Sequence, residues 1–132
     1  MSKISIIISF FAILLIFSSC KKDIAKKYTG NYYFKTDLFT FLGSSTHDTI
    51  LFFNGTIKEN SKSTIEIEYL SNYILQLTID SEGNLSYPNW QSPALYTNFQ
   101  GVFHDNGDVD IYMQEHYHGN GYNKTIYGTK LQ

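Results

Sequence analysis

The side chains able to do chemistry are few: four histidines, one cysteine and a handful of closely spaced carboxylates among 132 residues. His116-Tyr117-His118 has the alternate spacing that sets two imidazoles on one face of a strand, half of a zinc site. A third ligand is out of reach. His104 opposes Asp108 in the hairpin expected around Asn106-Gly107, and eight residues at about 3.3 Å each put it roughly 26 Å from His116, while His47 falls in a loop. The four read as surface histidines, and no metal is expected. Glu66 with Glu68 and Asp108 with Asp110 are spaced as carboxylate pairs, yet both pairs fall on the outward face of strands, where a carboxylate is simply solvated. Glu115 differs, because it continues the inward series Val109, Ile111, Met113 and precedes Tyr117. An inward carboxylate must find a partner, either Lys124 across the last hairpin or a ligand in a lumen.

Tyr87 to Tyr96 is the longest irregular stretch, stiffened by the chain's two prolines. Trp90 within it and Tyr96 at its end either plug one end of a core or offer a stacking surface for a ligand or protein. The candidate ligand-binding residues are thus Trp90, Tyr96, Glu115 and Tyr117. No Gly-x-Ser-x-Gly elbow, phosphate loop or His-Glu-x-x-His motif is present, so the sequence carries no catalytic assignment and implies no cofactor.

The elements that position these residues follow a leader. Lys3, the mostly apolar run Ile4 to Phe17 and the small pair Ser18-Ser19 have the pattern of a signal peptide, residues 1–19. The run is shorter than the about 20 apolar residues a spanning helix needs. Phe17-Ser18-Ser19-Cys20 resembles the lipobox of bacterial lipoproteins, with Phe17 where that family usually carries Leu, Val or Ile. The resemblance implies cleavage before Cys20, acylation of that cysteine and lipid anchoring in the bacterial cell envelope, in its outer membrane. Each buried methylene of an acyl chain would add about 0.8 kcal/mol. Residues 20–27 then form a lipidated cysteine and a basic tether suited to anionic headgroups. Asp48-Thr49-Ile50 resembles a short bacterial O-glycosylation acceptor.

Removal of the leader leaves 113 residues, enough for one domain and its core. With one cysteine no internal disulfide is possible, so packing alone must hold the fold, and the 11 tyrosines carry much of it. From Tyr28 onward five lysines face eleven acidic residues, a net charge of −6, and there is no arginine. Such a surface excludes nucleic acid as a partner.

Over 28–132, β-forming runs alternate with Gly, Asn, Asp and Ser, predicting strands over 29–36, 48–58, 63–69, 73–80, 84–88, 97–104, 108–118 and 123–131. Residues opposed in an antiparallel pair share a face, which tests the register. The loop Asp105-Asn106-Gly107 opposes Phe103 to Val109, Gly101 to Ile111 and Phe99 to Met113, with Gly107 left-handed. Leu70-Ser71-Asn72 matches Ile67 with Leu75 and Ile65 with Leu77. Ser81-Glu82-Gly83 matches Ile79 with Leu85 and Leu77 with Tyr87, and Asn60-Ser61-Lys62 matches Ile57 with Ile65. Consecutive hairpins make an all-β meander of about eight strands, which hides its edges best as a closed up-and-down barrel.

Gly30-Asn31-Tyr32 and Gly128-Thr129-Lys130 resemble the paired end motifs of lipocalin-like, or calycin-like, barrels, with Tyr32 in place of Trp and Lys130 in place of Arg. The resemblance implies a barrel that binds a small apolar or amphipathic molecule. The alternative is a filled barrel acting as a protein-interaction module, an envelope complex subunit or an inhibitor, through Tyr112, His116 and Trp90.

Overall fold

The structure, a computed structural model, describes residues 23–87 and 96–132. Cys20 with the expected leader, and Trp90, lie outside the described residues. Eight antiparallel strands follow one another: β1 (Gly30–Leu42), β2 (Ser45–Ser61), β3 (Thr64–Leu70), β4 (Tyr73–Ile79), β5 (Asn84–Ser86), β6 (Tyr96–Phe103), β7 (Val109–Tyr117) and β8 (Asn120–Lys130). Each pairs with the next and β8 returns to β1, so the expected up-and-down barrel closes.

Period-two patterning drives it. In β3 the buried Ile65, Ile67 and Tyr69 alternate with the half-exposed Thr64, Glu66 and Glu68. The inward files of all strands meet in a core where Tyr32, Phe34, Ile57, Ile65, Ile67, Leu77, Val109, Ile111 and Ile126 are buried to 1% exposure or less. Aromatic bulk fits because glycine stands opposite it. Gly128 faces Phe34 on β1 and Val109 on β7, and a methyl there would come within 2.5 Å of the Phe34 ring and 2.6 Å of Val109. Gly55 faces Tyr32, and a methyl there would run into the Glu68 carbonyl.

A 3-10 helix, Ala25–Tyr28, closes the base. The Ala25 amide donates to the Lys62 carbonyl at 3.2 Å, and Tyr28 stacks on Phe103 with centroids 4.1 Å apart. The Tyr32 hydroxyl lies 2.9 Å from the Tyr28 carbonyl and 2.8 Å from that of Gly107, and the Lys130 ammonium donates to the Lys27 carbonyl at 3.0 Å. Tyr32 and Lys130 are paired in the β1/β8 ladder, so the two end motifs meet at this plug. The packed body therefore starts before Tyr28, and Ala25 of the expected tether is fully buried.

Three hairpins have the expected register. Phe103 pairs with Val109, Gly101 with Ile111 and Phe99 with Met113; Ile65 pairs with Leu77 and Ile67 with Leu75; Ile79 pairs with Leu85. Gly107 at φ 92° and Asn72 at φ 65° take the left-handed positions. Other expectations are corrected. Ile57 pairs with Ile67 and not with Ile65, because a bulge between Glu59 and Ser61 moves the turn to Lys62-Ser63, where the Ser61 and Thr64 hydroxyls meet at 2.6 Å. The shift is two residues, so every inward side chain stays inward. The β4/β5 ladder ends at Thr78–Ser86, before a Leu77–Tyr87 pair could form. The loop expected over 37–47 is instead the tip of a long hairpin, with Leu42 paired to Ser45 across Gly43 at φ 60°. Likewise β8 begins at Asn120, turning through His118 at φ 46° and Gly119 at φ 81°.

These extensions make the rim uneven. The β1/β2 and β7/β8 hairpins form a tall wall, whereas β3 reaches only as far as Thr56 of β2. Among the described residues the wall is lower above β3, β4 and β5.

Candidate functional site at the barrel mouth

On the tall wall, alternate residues of β7 and β8 face inward above the packed core. Met113 opposes Lys124 and Glu115 opposes Tyr122. From the low side Tyr69 and Tyr73 reach the same space. The Lys124 ammonium donates to the Tyr69 hydroxyl at 3.0 Å and lies 5.0, 5.3 and 5.9 Å from the ring centres of Tyr122, Tyr69 and Tyr73. An ammonium that close to three ring faces is held by their quadrupoles. The Tyr122 hydroxyl donates to Glu115 Oε2 at 3.2 Å, and the Tyr87 hydroxyl to Met113 Sδ at 3.3 Å.

The expected Glu115–Lys124 ion pair is corrected: the two-residue turn at His118-Gly119 sets Tyr122 opposite Glu115 and moves Lys124 one layer deeper. The ion pairs among the described residues are Lys35–Asp37 and His104–Asp110, so neither Glu115 nor Lys124 belongs to one. Opposite charges thus face one mouth on adjacent strands, each held by a tyrosine hydroxyl. Burial, followed by the charge of Glu115 and its hydrogen bond, raises the Tyr122 hydroxyl well above the usual tyrosine range. Burial first, with Tyr69 and Glu115 adding, pushes Tyr87 up to about 12. Both are neutral donors across the physiological range, which is the state the two hydrogen bonds require.

One layer below Lys124, Thr36 faces inward between Leu51 of β2 and Ile126 of β8. Its side chain is fully buried, and its hydroxyl has no hydrogen-bond partner among the described residues. A buried hydroxyl without a partner costs about 1–3 kcal/mol by the measure of mutational data.

Of the residues expected to bind, Glu115 belongs to the cluster, through the Tyr122 hydroxyl. Tyr117 is not part of it: it lies at the rim, 49% exposed, paired with Asn120 and packed edge-on against His118 at 4.3 Å. Tyr96 is paired with His116 in the β6/β7 ladder, and Trp90 falls outside the described residues. The sequence reading missed Tyr69, Tyr73, Tyr87, Tyr122 and Thr36. Tyr69 could have been found as the end of the inward series Ile65, Ile67, Tyr69; Tyr122 could not, since the reading began the last strand at Asn123.

The histidines are dispersed. His47 lies on β2 opposite Thr40, exposed and not in a loop; His104 bonds Asp110 at 2.8 Å; His116 packs edge-on to Phe41 at 4.7 Å. His118 sits in the turn, so the alternation that would align it with His116 is broken. Among the described residues no three His, Cys, Asp or Glu side chains come together as a metal site would need. Thr49 is exposed on β2 opposite Leu38. A concavity of ≈ 620 Å³ opens beside the 3-10 helix, between Asp23, Lys27 and Lys62. It lies at the base, where the described chain begins, far from the carboxylate and tyrosines of the mouth. Comparison with protein-family models, with curated proteins and with solved structures finds no match to this chain.

Proposed function

We propose that the protein is a lipoprotein of the bacterial cell envelope, anchored through Cys20, whose lipocalin-like barrel binds one small amphipathic molecule at its mouth. The observation that carries the binding reading is the inward cluster of Glu115, Tyr122, Lys124 and Tyr69, hydrogen-bonded in pairs above a core of apolar side chains. Polar groups converging on an apolar pocket fix a ligand's orientation, and the apolar remainder supplies affinity. Leu38, Leu51 and Phe99, all half-buried inward residues around the cluster, suit the apolar part.

The anchor reading rests on the leader and lipobox resemblance. With Ala25 packed into the base, four residues separate Cys20 from the folded body, a reach of at most roughly 17 Å. The base then lies close to the membrane and the mouth opens away from it, toward soluble or shuttling ligands.

Two measurements test this. Metabolic labelling with an alkyne fatty acid should tag the chain in a bacterial host and fail in Cys20→Ala. The membrane-extracted chain, studied by native mass spectrometry and solvent extraction, should carry one small amphiphile or take up decanol saturably at one per chain. A chain that does neither has no ligand-binding barrel.

A further inference from the structure

Glu115 and Lys124 occupy one mouth yet do not neutralise each other. Their positions are diagonal in the β7/β8 ladder, Glu115 paired with Tyr122 and Lys124 with Met113. Side chains of this length could span such a diagonal. Each is instead turned to a tyrosine: the carboxylate accepts from Tyr122 and the ammonium donates to Tyr69. The ammonium also lies 5.0 Å from the ring centre of Tyr122, the residue whose hydroxyl holds the carboxylate, so both charges border one space.

Three ligand charge types meet this arrangement differently. An anionic head gains Lys124 but lies beside the Glu115 carboxylate. A cationic head gains Glu115 but lies beside Lys124. Only a head carrying both charges satisfies every group, because like charges at a few ångströms cost more in a half-buried site than in water.

We infer that the mouth selects a zwitterionic amphiphile: an anionic group on Lys124 Nζ and an ammonium on the Glu115 carboxylate. An amino-acid-like head with the two charges on adjacent carbons, or a phospho-ammonium head, carries both. The inference rests on the ligand-binding reading above and assigns the head that such a ligand carries.

The test uses the full chain in lipid nanodiscs, with protein-free nanodiscs as background, and four ten-carbon probes: 2-aminodecanoate, decanoate, decylammonium and decanol. The expected result is saturable binding of 2-aminodecanoate at least about tenfold tighter than the other three, a difference of about 1.4 kcal/mol. Glu115→Gln should bring its affinity down to that of decanoate, and Lys124→Met to that of decylammonium. Far-UV circular dichroism confirms that each variant is folded. Decanoate binding as tightly as 2-aminodecanoate, or affinities unmoved by either substitution, overturns the zwitterion assignment. If all four probes, decanol included, bind saturably and alike, the barrel binds amphiphiles without reading the head, and the assignment alone fails. If none binds, the ligand-binding reading fails with it.

Discussion

Replacing Thr36 by valine should stabilise this protein. The side chain is fully buried, faces Leu51 and Ile126 across the two flanking ladders, and its hydroxyl has no partner among the described residues. Valine has nearly the same volume and shape, and both residues are β-branched strand formers, so neither cavity nor strain enters the comparison. What remains is the desolvation of the hydroxyl, about 1–3 kcal/mol when unpaired, which valine removes. A gain of about 1–2 kcal/mol is expected. With a urea m value of about 1–3 kcal/mol/M for a domain of this size, the unfolding midpoint should rise by roughly 0.3–2 M with the slope unchanged. Thr36→Ser is the companion: it keeps the hydroxyl but loses a buried methyl, and should cost about 1 kcal/mol. Equilibrium urea unfolding followed by tyrosine fluorescence and circular dichroism measures both. If Thr36→Val lowers the midpoint while Thr36→Ser leaves it in place, the hydroxyl is satisfied in the folded protein, and the reasoning from its missing partner is refuted.

Tyr32→Phe should act in the opposite sense, costing about 1–3 kcal/mol in the same assay, because it strips a donor from the Tyr28 and Gly107 carbonyls that tie the 3-10 helix to the β6/β7 side of the base. Gly55→Ala should abolish the native register there, since the added methyl meets the Glu68 backbone carbonyl, which is fixed in the β2/β3 ladder and has no rotamer to escape through; loss of the cooperative unfolding transition is the readout, and a wild-type midpoint would contradict the close approach. Raising the pH should destabilise the fold. Tyr87 is pushed up to about 12 by burial, Tyr69 and Glu115, while Tyr122 and Tyr32 are raised further. In the unfolded chain tyrosines ionise near 10, so the stability these groups contribute is complete below pH 10 and is lost as pH climbs through their folded values. Absorbance at 295 nm should show late-titrating tyrosines, with Tyr87 half-ionised near pH 12, and urea midpoints should fall from pH 10 upward. Midpoints flat across that range would mean the mouth tyrosines are solvated.

Much of the architecture was legible because it is local. A period of two in Ile65, Ile67 and Tyr69, and in Val109, Ile111 and Met113, fixes which face is inward before any partner is known. Turn residues fix register where Asn or Gly, which favour the left-handed position, take it, as at Asn72 and Gly107. The Asn60 turn failed because a bulge is a choice between near-equal pairings, settled by neighbouring strands. The tall wall failed for another reason: Asp37 to His47 mixes polar and aromatic residues and looks like a loop, yet its backbone is satisfied by pairing with β8 on one side and β2 on the other.

The site itself divides along the same line. That Glu115 points inward and needs a partner follows from alternation alone, and the sequence determined it, as it determined the closed all-β meander and the acidic, arginine-free surface. Which partner it finds did not follow. The two-residue turn at His118-Gly119 decides that Tyr122, and not Lys124, stands opposite, and barrel closure brings Tyr69, 55 residues away, to Lys124. Alternation along a strand is a property of neighbouring residues in the chain, whereas the meeting of an ammonium and three tyrosines across three strands exists only once the sheet has closed.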